Sequence, residues 1–327
     1  MRVLVVGAGA IGSLFGARLF AAGHSVTLVG RPEHVWAIRA GGLRVDGDRP
    51  GLFPLTADVD LPSGPVPDVI LLAVKSYDLD DAARAIGQRF RPPPPMVLPQ
   101  NGWGIETTVL RALTSPGAPG PVPVLVRVVH SVPATLERPG VVRAAGTGTL
   151  VLPRVEGPDG AAIEPFLGLL ESMGYPVERR VDFDRALWEK LLINAAINPV
   201  TADHGIVNGR LIDDPWRGQA LALLDEARRA AELAQVRIPA EEAERRLWVV
   251  VRATAANRSS MLQDLERGRP TEIEAISGAL VEIARSHGVR LPHTERVLGR
   301  IRARAARQRT AGAAPAPGAA AGRPKDL

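Results

Sequence analysis

The spacing of apolar residues changes character near residue 180. Before it, short apolar runs alternate with helical patterns. After it, apolar residues recur at three- and four-residue intervals almost throughout. Residues 3–6 form a continuous apolar run, the mark of a strand buried on both faces of a parallel sheet. A helical pattern then runs to Ala22 and closes with Gly23 at the C′ position. Residues 25–29 predict the next strand. A hairpin is expected from strands at 43–45 and 52–54 joined around Asp46-Gly47. Further strands are expected at 69–74, 96–99, 124–129, 141–143, 149–152 and 177–179. Helices are expected at 80–90 and 161–173, with residues 92–95 as an extended proline connector. The fold class that follows is an α/β N-terminal domain, residues 1–180, and an all-α C-terminal domain, residues 181–309. In the second domain helices are expected at 187–199, 216–234, 240–265 and 272–287. Beyond Arg309 the composition collapses to Ala, Gly and Pro, so residues 310–327 are expected to be a disordered tail.

Between the first strand and the first helix stands Gly7-Ala8-Gly9-Ala10-Ile11-Gly12. This is the strand–GxGxxG–helix setting of a dinucleotide site, and it makes the first domain Rossmann-type. Gly7 allows the tight turn, Gly9 lets the backbone approach a pyrophosphate, and Gly12 lets helix and strand pack closely. The helix N-terminus offers free N–H groups to the phosphates. At the end of the second strand, where an NAD site usually carries Asp or Glu, the chain has Gly30 and Arg31. A guanidinium can pair with a 2′-phosphate in bidentate fashion, so the expected cofactor is NADP(H) with Arg31 on that phosphate. Lys75 and Asn101 also follow strands, at the rim where open α/β sheets bind ligands. Both are expected to be cofactor contacts, although Asn101-Gly102 is also ordinary turn chemistry.

In the helical half, Lys190, Asn194 and Asn198 recur every fourth residue among apolar neighbours. On a helix they share one face, along a stripe about 12 Å long. A helix that apolar is mostly buried, and a buried lysine and two asparagines are costly without partners. They line a polar cavity, or else the stripe faces water and Asn198 helps to end the helix before Pro199. A buried lysine beside an NADPH domain suggests carbonyl reduction. Burial makes the ammonium easier to discharge, and a positive charge stabilises a developing alkoxide. Two polar clusters, 257–264 and 269–274, have plain structural explanations from spacing alone. In the second, Thr271 with Glu274 reads as a capping box.

Composition narrows the function classes. There are no cysteines, which excludes disulfide scaffolds, thiolate metal sites and cysteine nucleophiles, and the histidines lack ligand spacing, so no metal is expected. The net charge of +5 belongs to the C-terminus: residues 1–299 carry 33 basic and 34 acidic side chains. No nucleic-acid partner is therefore expected, and the run from Arg300 to Arg309 reads as a solvated helix end. No uncharged stretch approaches the ~20 residues of a membrane span. No signal peptide is recognised, and a soluble, cytoplasmic protein is expected. The oligomeric state is left open, a homodimer included.

The chain resembles the ketopantoate reductases (2-dehydropantoate 2-reductases) over about residues 1–300. The resemblance is carried by GAGAIG at 7–12, Arg31, VKSYD around Lys75 and PQNG around Asn101. In the helical half it is carried by WEKLLINAAINPVTA at 188–202 and NRSSMLQDLERGRPTEIEAISG at 257–278. It implies Lys190 as the general acid and Glu272 beside the reacting oxygen and the substrate hydroxyl. It implies Asn101, Asn194, Asn198 and Ser260 as groups that bind substrate or orient cofactor and lysine. The implied reaction is NADPH-dependent reduction of 2-dehydropantoate to (R)-pantoate in pantothenate synthesis, in a cleft that closes on binding. Reduction of a different 2-keto acid, or cofactor binding without turnover, are the competing possibilities.

Overall fold

The computed structural model describes residues 1–114 and 122–312, with side chains to Arg307. Its strands are β1 (Arg2–Val6), β2 (Ser25–Val29), β3 (Leu43–Gly47), β4 (Gly51–Phe53), β5 (Thr56–Asp58), β6 (Val69–Leu72) and β7 (Met96–Leu98). They continue as β8 (Leu125–Arg127), β9 (Val129–His130), β10 (Ala134–Arg138), β11 (Val141–Ala144), β12 (Leu150–Pro153) and β13 (Val177–Arg180). Its helices are α1 (Ala10–Ala21), α2 (Pro32–Gly41), α3 (Leu79–Arg89), α4 (Ile105–Leu113), α5 (Gly157–Glu171) and α6 (Phe183–His204). Those after α6 are α7 (Trp216–Leu233), α8 (Ala240–Ala253), α9 (Ser260–Glu266), α10 (Ala279–Ser286) and α11 (Pro292–Gly312).

The main sheet runs β5-β2-β1-β6-β7-β8 with every pairing parallel. Its central strands are apolar without alternation because both faces are covered. Val3 and Val5 of β1 join the core that includes Leu14 and Phe15 of α1. Leu4 and Val6 join the opposite core, with Leu79, Ile86 and Val109 of α3 and α4. The chain runs from β1 outward to β2 and later returns to β6 on the other side of β1. That reversal makes a crevice at the carboxyl ends of β1 and β6, where such sheets hold ligands. Two smaller sheets, β10-β11-β3-β4 and β13-β12-β9, complete the α/β part.

From Phe183 onward the described residues are helical or in turns. A separate core forms around Trp188, Leu191 and Leu192 of α6, against α7 to α11. The family-type fold expected from the pattern, Rossmann-like followed by all-α, is the fold observed. No helix among the described residues is long and apolar enough to cross a membrane.

Several expectations need correcting. α6 does not end at Asn198 but runs through Pro199 to His204 and closes at Gly205, in the left-handed region at φ +68°. Packing on α7, α8 and α9 outweighs the hydrogen bond that a proline omits. The helix expected over 240–265 is broken after Ala253. There the carbonyls of Ala255 and Asn257 accept from Gly209 and Asn208, and Ser259 Oγ caps α9 by accepting from Leu262 N. The capping box at Thr271 and Glu274 does not form. Glu274 faces Arg302, bonded at 2.7 and 2.6 Å, and residues Glu274–Gly278 open the helix as a π turn. The hairpin turn lies at residues 48–50, because β3 extends through Gly47.

The basic run is largely exposed, as a solvated helix end should be, but its described arginines are also paired. Arg300 pairs with Asp203 at 2.6 Å, and Arg304 donates to the carbonyls of Ala202 and Asp203, tying α11 to the end of α6. An open groove of about 810 Å³ there lies roughly 20 Å along α6 from Lys190 and takes no part in the site described below. α2, α4, β5 and β10 were not foreseen from the pattern. Of the stretch expected to be disordered, residues 310–312 continue α11 and the rest lies outside the described residues.

Candidate active site

Five strands of the main sheet, β1, β2, β6, β7 and β8, end at one rim, and each carries a functional segment there. After β1 comes the glycine loop. Gly7 sits at φ +103°, and a Cβ on it would lie 2.5 Å from Val74 N. A Cβ on Gly12 would lie 2.1 Å from Gly7 O. These two glycines let α1 start flush against the ends of β1 and β6. Gly9 differs: a Cβ there would meet nothing within 4 Å. Its open side, in front of the first N–H groups of α1, leaves the room a pyrophosphate needs. Arg31 follows β2, is exposed, and makes no side-chain hydrogen bond among the described residues; its charge acts on Tyr77 and Asp78 across the crevice. The glycine loop and a free guanidinium at the neighbouring strand end fit a phosphorylated dinucleotide.

After β6 comes Lys75, whose Nζ lies 3.0 Å from Asp264 Oδ2 and 3.5 Å from Glu272 Oε2. Burial works to lower its pKa, but the two carboxylates outweigh it and the pKa is raised, so Lys75 stays an ammonium. Ser76 N donates to Glu272 Oε1 at 3.3 Å. After β7 comes Asn101, whose Nδ2 donates to Glu272 Oε2 at 3.4 Å. After β8 come Arg127 at its last position and then β9 with His130.

The helical part closes over this rim. Lys190 of α6 donates to the carbonyl of His130 at 2.6 Å. Its pKa falls from the usual 10.5 to about 8, first through burial and then through Arg127, with Glu272 opposing. The His130 ring is buried edge-on to Phe15 of α1, at 5.4 Å between centroids. Lys190, half-buried, therefore points toward the sheet and the base of α1. Trp103 N donates to Ala275 O at 3.1 Å, and Trp103 stacks at 4.9 Å on Trp188.

The structure thus brings Lys190, Glu272, Asn101 and Lys75 into one polar cluster. Asn194 and Asn198 lie on the Lys190 face of α6, and their side chains hydrogen-bond to no group among the described residues, although Asn198 is buried. Ser260 opens α9, exposed and likewise without a bond. Arg31 and Ser260 do not touch the cluster.

Sequence reasoning passed over Asp264, Ser76 and Arg127. Arg127 had a signal: an arginine inside the apolar run of residues 124–129. A second signal lay in composition. Only three of the 40 basic side chains are lysine, and two of those, Lys75 and Lys190, stand in this site. A chain that otherwise uses arginine has placed lysine where a compact ammonium with a movable pKa is useful.

Comparison with known proteins identifies the family. The family model described as "Ketopantoate reductase PanE/ApbA" matches residues 3–157, and its C-terminal counterpart matches 182–305. The 2-dehydropantoate 2-reductase of Halobacterium salinarum is 35% identical over 304 residues, covering 89% of this chain and 95% of the relative. That of Archaeoglobus fulgidus is 32% identical over 290 residues, covering 88% and 92%. Among solved structures, a PanE/ApbA family ketopantoate reductase from Ralstonia eutropha superposes with a TM-score of 0.84 at 29% identity, covering 94% of this chain and all of its own. A D-mandelate dehydrogenase bound to NADH and anilino(oxo)acetate superposes at 0.86 with 21% identity over 94% and 99%, which shows the shared fold.

Proposed function

The chain belongs to the ketopantoate reductase family, and we propose that it reduces 2-dehydropantoate to (R)-pantoate with Lys190 as the proton donor. NADPH, when bound, supplies the hydride. The chain's own residues do the rest. The glycine loop Gly7–Gly12 and Arg31 hold the cofactor's phosphates. Lys75, fixed by Asp264 and Glu272, and Asn101 at the end of β7 meet the cofactor where it enters the cleft. Lys190 holds its proton on Nζ and gives it to the oxygen of the reduced carbonyl, so the keto group gains one hydride and one proton. With its pKa near 8, Lys190 is charged at neutral pH yet a far better acid than an exposed lysine. Before transfer its charge also favours the developing alkoxide.

Glu272 is held by Lys75, Ser76 N and Asn101, and we assign it to the substrate hydroxyl. Asn194, Asn198 and Ser260 supply to the 2-keto acid polar groups that have no hydrogen-bond partner among the described residues. The half-buried, pKa-lowered Lys190 facing the cofactor rim is the observation that carries this assignment. We place the division between the cofactor part and the helical part at residues 180 and 181, in the gap between β13 and α6, and the activity in the cytoplasm.

A panel of 2-keto acids with NADPH tests the substrate. 2-Dehydropantoate is expected to give the highest kcat/KM, and a different best substrate would overturn that assignment while leaving the proton donor in place.

A further inference from the structure

Arg127 has no task in the reaction as described, and its setting is costly. It is buried, 5% exposed, at the end of β8, the edge strand of the main sheet. Its Nη1 pairs with Glu106 at 3.0 Å. Its Nη2 donates to the carbonyls of Gln100 at 3.1 Å and Gly102 at 3.3 Å, the residues on either side of Asn101. The same loop is pressed against the helical part, where a Cβ on Gly102 would lie 2.4 Å from Ala275 O. A neutral donor would satisfy two carbonyls without placing a second cation near the half-buried Lys190. Costly like charges of this kind cluster at working sites.

We propose that Arg127 is a positioning residue of the reductase, which clamps the backbone on both sides of Asn101 and sets a fixed positive charge beside Lys190. The role rests on Lys190 being the proton donor. The charged and titratable groups facing Lys190 are Arg127 from β8, His130 from β9 and Glu272 ahead of the π turn. His130 is neutral, because burial and then Lys190 push its pKa well below the usual value. Glu272 holds the lysine proton on, and Arg127 drives it off. Glu106, half-exposed, partly neutralises Arg127 and so tempers its effect.

The test is the pH dependence of 2-dehydropantoate reduction in Arg127→Met, Arg127→Lys and Glu106→Gln, with Lys190→Ala alongside. In Arg127→Met the alkaline limb of kcat/KM is expected to move up by about 0.5–1 pH unit, and KM to rise. Arg127→Lys keeps the charge and loses the fork, so the limb stays near its original pH while KM rises. Glu106→Gln keeps an acceptor for Nη1 and removes the neutralising charge, so the limb moves down. A merely structural arginine would not move the limb in opposite directions in these two variants. Unmoved limbs in Arg127→Met and Glu106→Gln, with Lys190→Ala inactive, would overturn the role of Arg127. An active Lys190→Ala would instead overturn the proton-donor assignment. Should Arg127→Met not fold, the other two variants decide the question alone.

Discussion

Replacing Lys190 by alanine is expected to lower kcat by about three orders of magnitude while leaving NADPH affinity nearly unchanged. Loss of a positioned general acid is worth about 10²–10⁴-fold, and the lost charge on the alkoxide adds to it. Lys190 lies on α6, whereas the phosphate-binding features lie on α1 and after β2, so cofactor binding has no cause to weaken. The fold also has little to lose. A pKa moved from 10.5 to about 8 means that the folded surroundings, burial first and Arg127 second, penalise the charged form by a net of roughly 3 kcal/mol. The sign follows from linkage: the folded pKa lies below the unfolded one, so the penalty is borne in full below pH 8 and is relieved as the pH rises toward 10.5. Removing the ammonium takes that penalty away, against the loss of packing and of one donor to His130 O. Circular dichroism with steady-state kinetics on Lys190→Ala and Lys190→Met checks both halves. A variant that keeps most of its turnover would remove Lys190 from the acid role.

Replacing Arg31 by alanine is expected to cost about 10–100-fold in kcat/KM with NADPH and little with NADH. A charge-assisted pair with a phosphate is worth about 1.5–3 kcal/mol, and each 1.4 kcal/mol is tenfold. NADH lacks the 2′-phosphate and therefore has nothing to lose. Arg31 is exposed and makes no side-chain hydrogen bond among the described residues, so the substitution is expected to leave the fold intact and the effect can be read as cofactor recognition. Equal losses with both cofactors would place Arg31 elsewhere than on the 2′-phosphate.

The features read from the sequence are those set by local chemistry. Gly7, Gly9 and Gly12 were legible because turn geometry, close packing and phosphate access each demand glycine within six residues. The stripe of Lys190, Asn194 and Asn198 was legible because helical spacing alone places it on one face. Glu272 came only through resemblance; by spacing it looked like a first-turn carboxylate after a Thr271 cap, and the structure turns it into the cleft instead. What stayed hidden depends on contacts far apart in sequence. Lys75 meets Asp264 across 189 positions, and Arg127 reaches the carbonyl of Gln100 across 27. No periodicity encodes such pairs. The break between α8 and α9 was missed for the same reason, since its carbonyls are satisfied by residues 208 and 209 rather than by their own helix.

With three lysines in the chain, the protonation of Lys190 can be followed directly by NMR of protein carrying isotope-labelled lysine side chains, assigned with Lys75→Arg and Lys190→Arg. The Lys190 signal is expected to titrate near pH 8, and Lys75 above 10.5. The alkaline limb of kcat/KM should fall at the Lys190 value, because only the protonated form donates. A Lys190 signal that stays fully protonated past pH 10 would contradict a sequestered ammonium poised to give up its proton.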